Sequence, residues 1–279
     1  MTDRNQTGHR LIETGDGTKT LHHAAFGENT HTRYGAYTES LYRHVYPSLA
    51  LDKGGEITVL DIGFGLGYNI LALITESASR KNITHITVHS FEYDQNLAAF
   101  LDEIRFGDKR DKMYDKIRLL YSRNTYEDGS LSLHLHFGDA RSSLRTLMLQ
   151  ENSIDAVFHD PHSPGKNSEL WTTEFFRLLY PAMKVDALLT TYSSALHIRH
   201  ALLEAGFFIF PNRDSHFSKE GTLAGKAMYE YGFQAEYLEN LVRTVKSTPF
   251  HDNQNLTMHR DEIFQNRIAF MEAQRNADA

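Results

Sequence analysis

Five apolar runs interleaved with helical periodicity leave this chain few possible folds. The runs cover residues 57–62, 85–91, 131–137, 154–159 and 187–192, and helical patterns follow at 68–77, 95–105, 142–149 and 194–205. Strands alternating with helices of this length imply crossover units and a mainly parallel sheet. Two shorter runs, 207–210 and 227–232, are expected to close the sheet as edge strands. Upstream, 10–14 and 18–24 flank Gly15-Asp16-Gly17, a hairpin signal because those residues tolerate the positive φ of tight turns. A helical pattern over 36–49 then ends at Asp52-Lys53-Gly54-Gly55. The expected organisation is a hairpin-and-helix appendage over 1–54, an α/β domain over 55–235 and a helical extension over 236–279. The dense charge over 102–118 reads as a solvated helix or loop.

Composition removes whole classes of chemistry. None of the 279 residues is cysteine, which excludes disulfides, thiolate catalysis and iron–sulfur clusters. His22-His23 and the pair His134 and His136 lie in strand-like stretches without nearby acids, so no metal is expected. No apolar stretch reaches the ~20 residues of a spanning helix, and the polar start is no signal peptide, so a cytoplasmic protein without membrane contact is expected. The net charge of −7 argues against a basic nucleic-acid coat but leaves room for a local patch.

The sharpest local signal is Asp61-Ile62-Gly63-Phe64-Gly65-Leu66-Gly67-Tyr68-Asn69, where a buried strand feeds a helix. Glycines there let a ligand approach the backbone. A dinucleotide fingerprint would place its last glycine at the position held by Tyr68. The spacing G-x-G-x-G instead resembles the first motif of class I S-adenosylmethionine-dependent methyltransferases. That resemblance implies a Rossmann-like, mainly parallel seven-stranded sheet, with Asp61, Gly63, Phe64, Gly65, Gly67 and Asn69 around the cofactor. Glu92 ends the second run at an interval suited to a ribose diol, whose two hydroxyls a carboxylate can accept. Asp139 ends the third, where the class I pattern approaches the adenine amino group.

The fourth strand end is the unusual one. Asp160-Pro161-His162-Ser163-Pro164-Gly165-Lys166-Asn167-Ser168-Glu169-Leu170-Trp171 places an acid in the same crevice, before a proline-stiffened loop. With Tyr34 to Ser40, Arg43-His44-Val45, the glycine loop and Thr191 to Ala195, this stretch resembles the methyltransferase domain of MnmC-type tRNA-modification enzymes. The likeness spans roughly residues 10–235. Two positions depart from the family pattern: His162 stands where an aromatic is usual, and Ser168 where proline is. The family's flavin oxidase domain does not fit within 279 residues, so a stand-alone methyltransferase is expected.

The resemblance implies methyl transfer from S-adenosyl-L-methionine to 5-aminomethyl-(2-thio)uridine at the tRNA wobble position. Asp160 is the first candidate for orienting the amine and taking its proton, and Glu39 the second. Asp160 also counts among the cofactor-side residues. His162, Lys166, Tyr192 and Ser193 are expected on the acceptor side, and Trp171 as a core anchor. The implied partners are the anticodon stem-loop of a tRNA and an upstream tRNA-modifying complex. Two other readings stay open: a spermidine-synthase-like aminopropyltransferase or other amine N-methyltransferase, and a cofactor-binding RNA chaperone or assembly subunit without catalysis.

Overall fold

The five apolar runs become adjacent strands of one sheet. The structure is a computed structural model and describes residues 8–229 and 231–277. Its strands are β1 (Arg10–Glu13), β2 (Lys19–His23), β3 (Glu28–Asn29), β4 (Gly55–Ile62), β5 (Ile83–Glu92), β6 (Thr125–Asp128), β7 (Leu131–Phe137), β8 (Ile154–His159), β9 (Met183–Thr191), β10 (Phe208–Asn212) and β11 (Gly221–Gly225). The main sheet has the order β10-β11-β9-β8-β4-β5-β7-β6. Strands β9, β8, β4, β5 and β7 run parallel, while β6 and the β10–β11 hairpin are antiparallel edges. Eight strands therefore stand where seven were expected, because Thr125–Asp128 adds an edge beside β7.

The principal helices are α1 (Ala36–Glu39), α2 (Tyr68–Ser77), α3 (Arg110–Arg123), α4 (Ala140–Leu147), α5 (Thr173–Leu179), α6 (Leu196–Glu204), α7 (Ala235–Arg243) and α8 (Arg260–Ala277). Successive strand residues point to opposite faces. Val59 joins a core with α2 and α3, while Leu60 joins another with Trp171, Phe175 and Ile198. Among the described residues, no helix is long and apolar enough to cross a membrane.

Four expectations need correction. The second closing strand is Gly221–Gly225, not 227–232, whose described residues form no strand. The helix expected over 95–105 shrinks to the single turn Ala98–Leu101, because Asp94 turns the chain by accepting from the Asn96 N–H. The charged stretch is not merely solvated: α3 buries Tyr114, Ile117, Leu120 and Tyr121, and Tyr114 donates to the Leu66 carbonyl at 2.8 Å. Finally, the helix begun at Ala36 widens into a π-helix over Ser40–Val45.

The hairpin β1–β2 forms as expected and gains the short β3. This small sheet packs against the carboxyl ends of the parallel strands. Tyr68 at the start of α2 donates to the Lys19 carbonyl at 2.7 Å, and Asp94 after β5 lies 2.8 Å from His9 and 3.2 Å from His23. Such sheets bind ligands beyond those strand ends, so the appendage lies against the ligand crevice.

Candidate active site

A cavity of about 900 Å³ opens there, near the top of the usual range for small-molecule sites. Its floor is the glycine loop. Gly63 has φ +98°, and a Cβ would lie 2.5 Å from the Asp160 carbonyl oxygen, so the loop meets the end of β8 backbone to backbone. Gly65 has φ +55° and nothing within 4 Å of where its Cβ would be, which leaves open space beside the loop. Phe64 and Asn69 also line the cavity. Gly67 and Asp61 do not. A Cβ on Gly67 would strike Ile117 at 2.5 Å, so that glycine serves helix packing. Asp61 is fully buried beneath the loop, accepting from Ser90 and Asn69, and burial pushes its carboxyl up to about 7.

The acids at the next two strand ends differ in what they have left to offer. Glu92 accepts from Gly65 N–H at 2.8 Å with one oxygen and from Asp94 N–H at 2.7 Å with the other. Burial raises its pKa while those amides pull it back, and each oxygen of this cavity-lining carboxylate, with one amide donor, can accept a further hydrogen bond. Asp139 also lines the cavity, but it caps α4 through Arg141 N–H and holds the Arg141 guanidinium with both oxygens. Arg141 in turn pairs with the buried Asp252 at 2.7 Å, tying the C-terminal segment to this end of the site.

Asp160 sits at the fourth strand end with two side-chain partners. Asn69 Nδ2 donates to it at 3.1 Å and to Asp61 at 3.2 Å, bridging the two acids. His44 Nε2 lies 3.5 Å away, with Nδ1 2.9 Å from Thr190 Oγ1. Burial alone would raise the Asp160 pKa, but His44, His31 and Asn69 outweigh it and hold the carboxyl below its ordinary value. His44 reaches this position from the π-helix, an irregularity that often accompanies functional sites. Nothing in the local sequence around His44 marks it for this role.

The loop after Asp160 is held from outside the parallel sheet. Glu28 of β3 accepts from Ser163 N–H at 2.8 Å and from Ser163 Oγ at 2.6 Å, and lies 3.2 Å from His162 Nδ1. These bonds outweigh its burial and bring Glu28 down to about 2. His162 lines the cavity with its ring 4.0 Å from that of Phe26, so it is a wall residue there. Trp171 is fully buried and donates to the His162 carbonyl at 2.8 Å, as a core anchor would. Tyr192 lines the cavity and donates to the Pro161 carbonyl at 3.0 Å. Glu39 lines it too, with its oxygens on Thr32 N–H and Oγ1.

Two expected acceptor-side residues lie elsewhere. Lys166 is outside the cavity wall and offers its carbonyl to Arg260. Ser193 is buried, its carbonyl accepting from Thr222. The expectation that His22-His23 has no acid nearby needs correction, because the fold brings His23 together with His9 and with Asp94 after β5. They form a hydrogen-bonded knot and not a good cation site. His9 Nδ1 accepts the Ala24 N–H, so its Nε2 carries the proton that faces Asp94, and the buried His23 Nδ1 has no partner to orient it as a ligand.

Comparison with known proteins adds sequence and structural relatives to this geometry. A family model described as S-adenosyl-L-methionine-dependent methyltransferase matches residues 106–227. An uncharacterized protein of Methanocaldococcus jannaschii is 31% identical over 268 residues, covering 93% of this chain and 71% of that one. The tRNA 5-methylaminomethyl-2-thiouridine biosynthesis bifunctional protein MnmC of Pseudomonas fluorescens is 32% identical over 167 residues, covering 57% of this chain and 25% of its own length. The chain thus spans about a quarter of that bifunctional relative. The crystal structure of MNMC2 from Aquifex aeolicus superposes with a TM-score of 0.83 at 29% identity, covering 97% of this chain and 87% of that one.

Proposed function

The chain belongs to the S-adenosyl-L-methionine-dependent methyltransferases of the MnmC type, and we propose that it methylates the primary amine of 5-aminomethyl-(2-thio)uridine at the tRNA wobble position. The observation that carries this reading is Asp160: a carboxylate kept ionised by its surroundings, beside the glycine loop, in a cavity large enough for two ligands.

The residues present fit the cofactor. Gly65 leaves room where a side chain would stand, and Glu92 is aimed by two backbone amides with lone pairs to spare. In this reading Glu92 takes the ribose hydroxyls and Phe64 and Asn69 flank the rest, while Asp139 acts mainly through Arg141. The cofactor supplies a methyl group already activated as a sulfonium, so the protein's work is positioning and charge.

The amine must be neutral when its nitrogen forms the new bond. An alkyl ammonium of this kind has a pKa near that of lysine, about 10.4. Burial and a neighbouring sulfonium both disfavour its charged form. The ammonium gives its proton to solvent on entering the cavity; the neutral nitrogen would then take the methyl as its bond to sulfur breaks, leaving S-adenosylhomocysteine and a secondary ammonium. Positive charge therefore develops on nitrogen during the step, and an ionised Asp160 stabilises it while accepting an N–H hydrogen bond that aims the lone pair. His44 fixes the Asp160 carboxylate, and Tyr192 and His162 shape the acceptor wall.

The test offers methyl-labelled cofactor with two acceptors in separate reactions: tRNA carrying 5-aminomethyluridine, and polyamine. Label in RNA supports the reading. Label in polyamine alone refutes it.

A further inference from the structure

Residues 217–219 lie in the connection between β10 and β11, at the opposite side of the sheet from the strand ends that carry Glu92 and Asp139. They form one rim of the cavity with Arg33 and Tyr34, which follow the hairpin appendage. This rim is built to hold an aromatic ring still. The Arg43 guanidinium lies 4.0 Å from the Phe217 ring centroid, and Tyr34 meets Phe217 edge to face at 5.8 Å and 87°. The Tyr34 hydroxyl donates to Ser218 Oγ at 3.3 Å. Tyr34 nevertheless remains 36% exposed, at the cavity mouth.

Two exposed cations share this rim. The Arg33 guanidinium lies over the Tyr34 ring, 5.7 Å from its centroid, and Lys219 follows Phe217 and Ser218 on the other segment. Both are free of ion pairs among the described residues, whereas Arg213 and Arg199 nearby share Glu220. The complement of a fixed, partly exposed aromatic ring on a rim that also carries two cations is a planar base with its flanking phosphates, as in an unstacked nucleotide of single-stranded RNA.

We propose that Tyr34 is the stacking platform for the acceptor nucleobase, splayed out of its loop, and that Arg33 and Lys219 meet the phosphates on either side. Phe217 and Arg43 are positioning residues that keep the Tyr34 ring in place. The assignment rests on the tRNA reading above and names the part of the cavity that performs it.

The experiment measures binding of a fluorescent anticodon stem-loop carrying 5-aminomethyluridine at the wobble position, and of the same stem-loop abasic there. S-adenosylhomocysteine binding, followed by calorimetry, reports that each variant is folded. Tyr34→Ala weakens the base-containing stem-loop by about 5- to 150-fold, the span of one lost stacking contact, and abolishes the difference between the two RNAs. Tyr34→Phe restores it. The double variant Arg33→Gln and Lys219→Gln keeps that difference but lowers the slope of log affinity against log salt by about 1.4, at about 0.7 per phosphate contact in a single strand. If Tyr34→Ala binds both RNAs as the wild type does, or Tyr34→Phe is as weak as Tyr34→Ala, the platform is refuted. A wild type that binds S-adenosylhomocysteine but neither stem-loop overturns the tRNA reading itself, and the platform with it.

Discussion

Glu28→Gln should loosen the reactive loop, and the size of the effect follows from the anchoring of Ser163. The shift of Glu28 from 4.5 to about 2 corresponds to about 3.4 kcal/mol at 1.36 kcal/mol per unit. The side chain is 25% exposed, and solvent screening brings the figure to about 2 kcal/mol. Because this acid is depressed in the folded state, its contribution is complete above the unfolded value of 4.5 and is lost as pH falls through about 2. At about pH 3.5 it retains only about three-fifths of its full size. Glutamine keeps one oxygen for Ser163 but loses the charge. The Ser163 amide of the variant should therefore exchange its hydrogen about 30-fold faster than wild type near pH 7, the equivalent of about 2 kcal/mol of local opening. Urea unfolding of both proteins should show a stability gap near pH 7 that narrows by about two-fifths at about pH 3.5. A gap independent of pH, or unchanged exchange at Ser163, would refute the view that a carboxylate anchor ties the appendage to this loop.

Four further outcomes follow from the same region. Asp160→Asn should lower turnover by about 100-fold or more while changing S-adenosylhomocysteine affinity only a few-fold, because it removes charge beside the acceptor nitrogen; steady-state kinetics and calorimetry separate the two. Gly65→Ala should cost about 1 kcal/mol of stability through its positive φ yet abolish cofactor binding, since its methyl enters open cavity. Gly63→Ala should instead unfold more readily in a thermal melt, because its methyl meets the Asp160 carbonyl at 2.5 Å. Asp252→Ala leaves Arg141 with Asp139 and the Met258 carbonyl but without its buried carboxylate, which should cost about 1.5–3 kcal/mol in chemical denaturation, the range of one hydrogen bond to a charged group.

The parallel core was legible because each strand is a nearly continuous apolar run, as a sheet buried on both faces requires. Helix α2 was legible for the same reason, following directly on the glycine turn. Strand β11 was not, because its sequence Gly-Thr-Leu-Ala-Gly reads as a flexible loop. Its glycines in fact allow close packing: a Cβ on Gly221 would lie 2.3 Å from the Thr191 carbonyl oxygen and one on Gly225 3.0 Å from Leu188. The buried face of α3 was hidden among charges, with tyrosines carrying part of the core.

At the site, residues named by local motif, such as Asp160, Glu92 and Gly65, do line the cavity. Local pattern misplaced Lys166 and Ser193 because it shows where the chain turns but not which way a side chain then faces. Nor could it show that Glu28 anchors Ser163, 135 residues away, or that a π-helix delivers His44 to Asp160. Those contacts exist only once the appendage has folded against the sheet.

The central claim is that the amine of a wobble aminomethyl uridine receives the methyl group. The direct measurement is mass spectrometry of nucleosides digested from tRNA that carried 5-aminomethyluridine, after incubation with the protein and S-adenosyl-L-methionine. The account predicts that this nucleoside is converted to 5-methylaminomethyluridine, with the added methyl on the side-chain nitrogen. An unchanged wobble nucleoside, from protein that demonstrably binds S-adenosylhomocysteine, would contradict it.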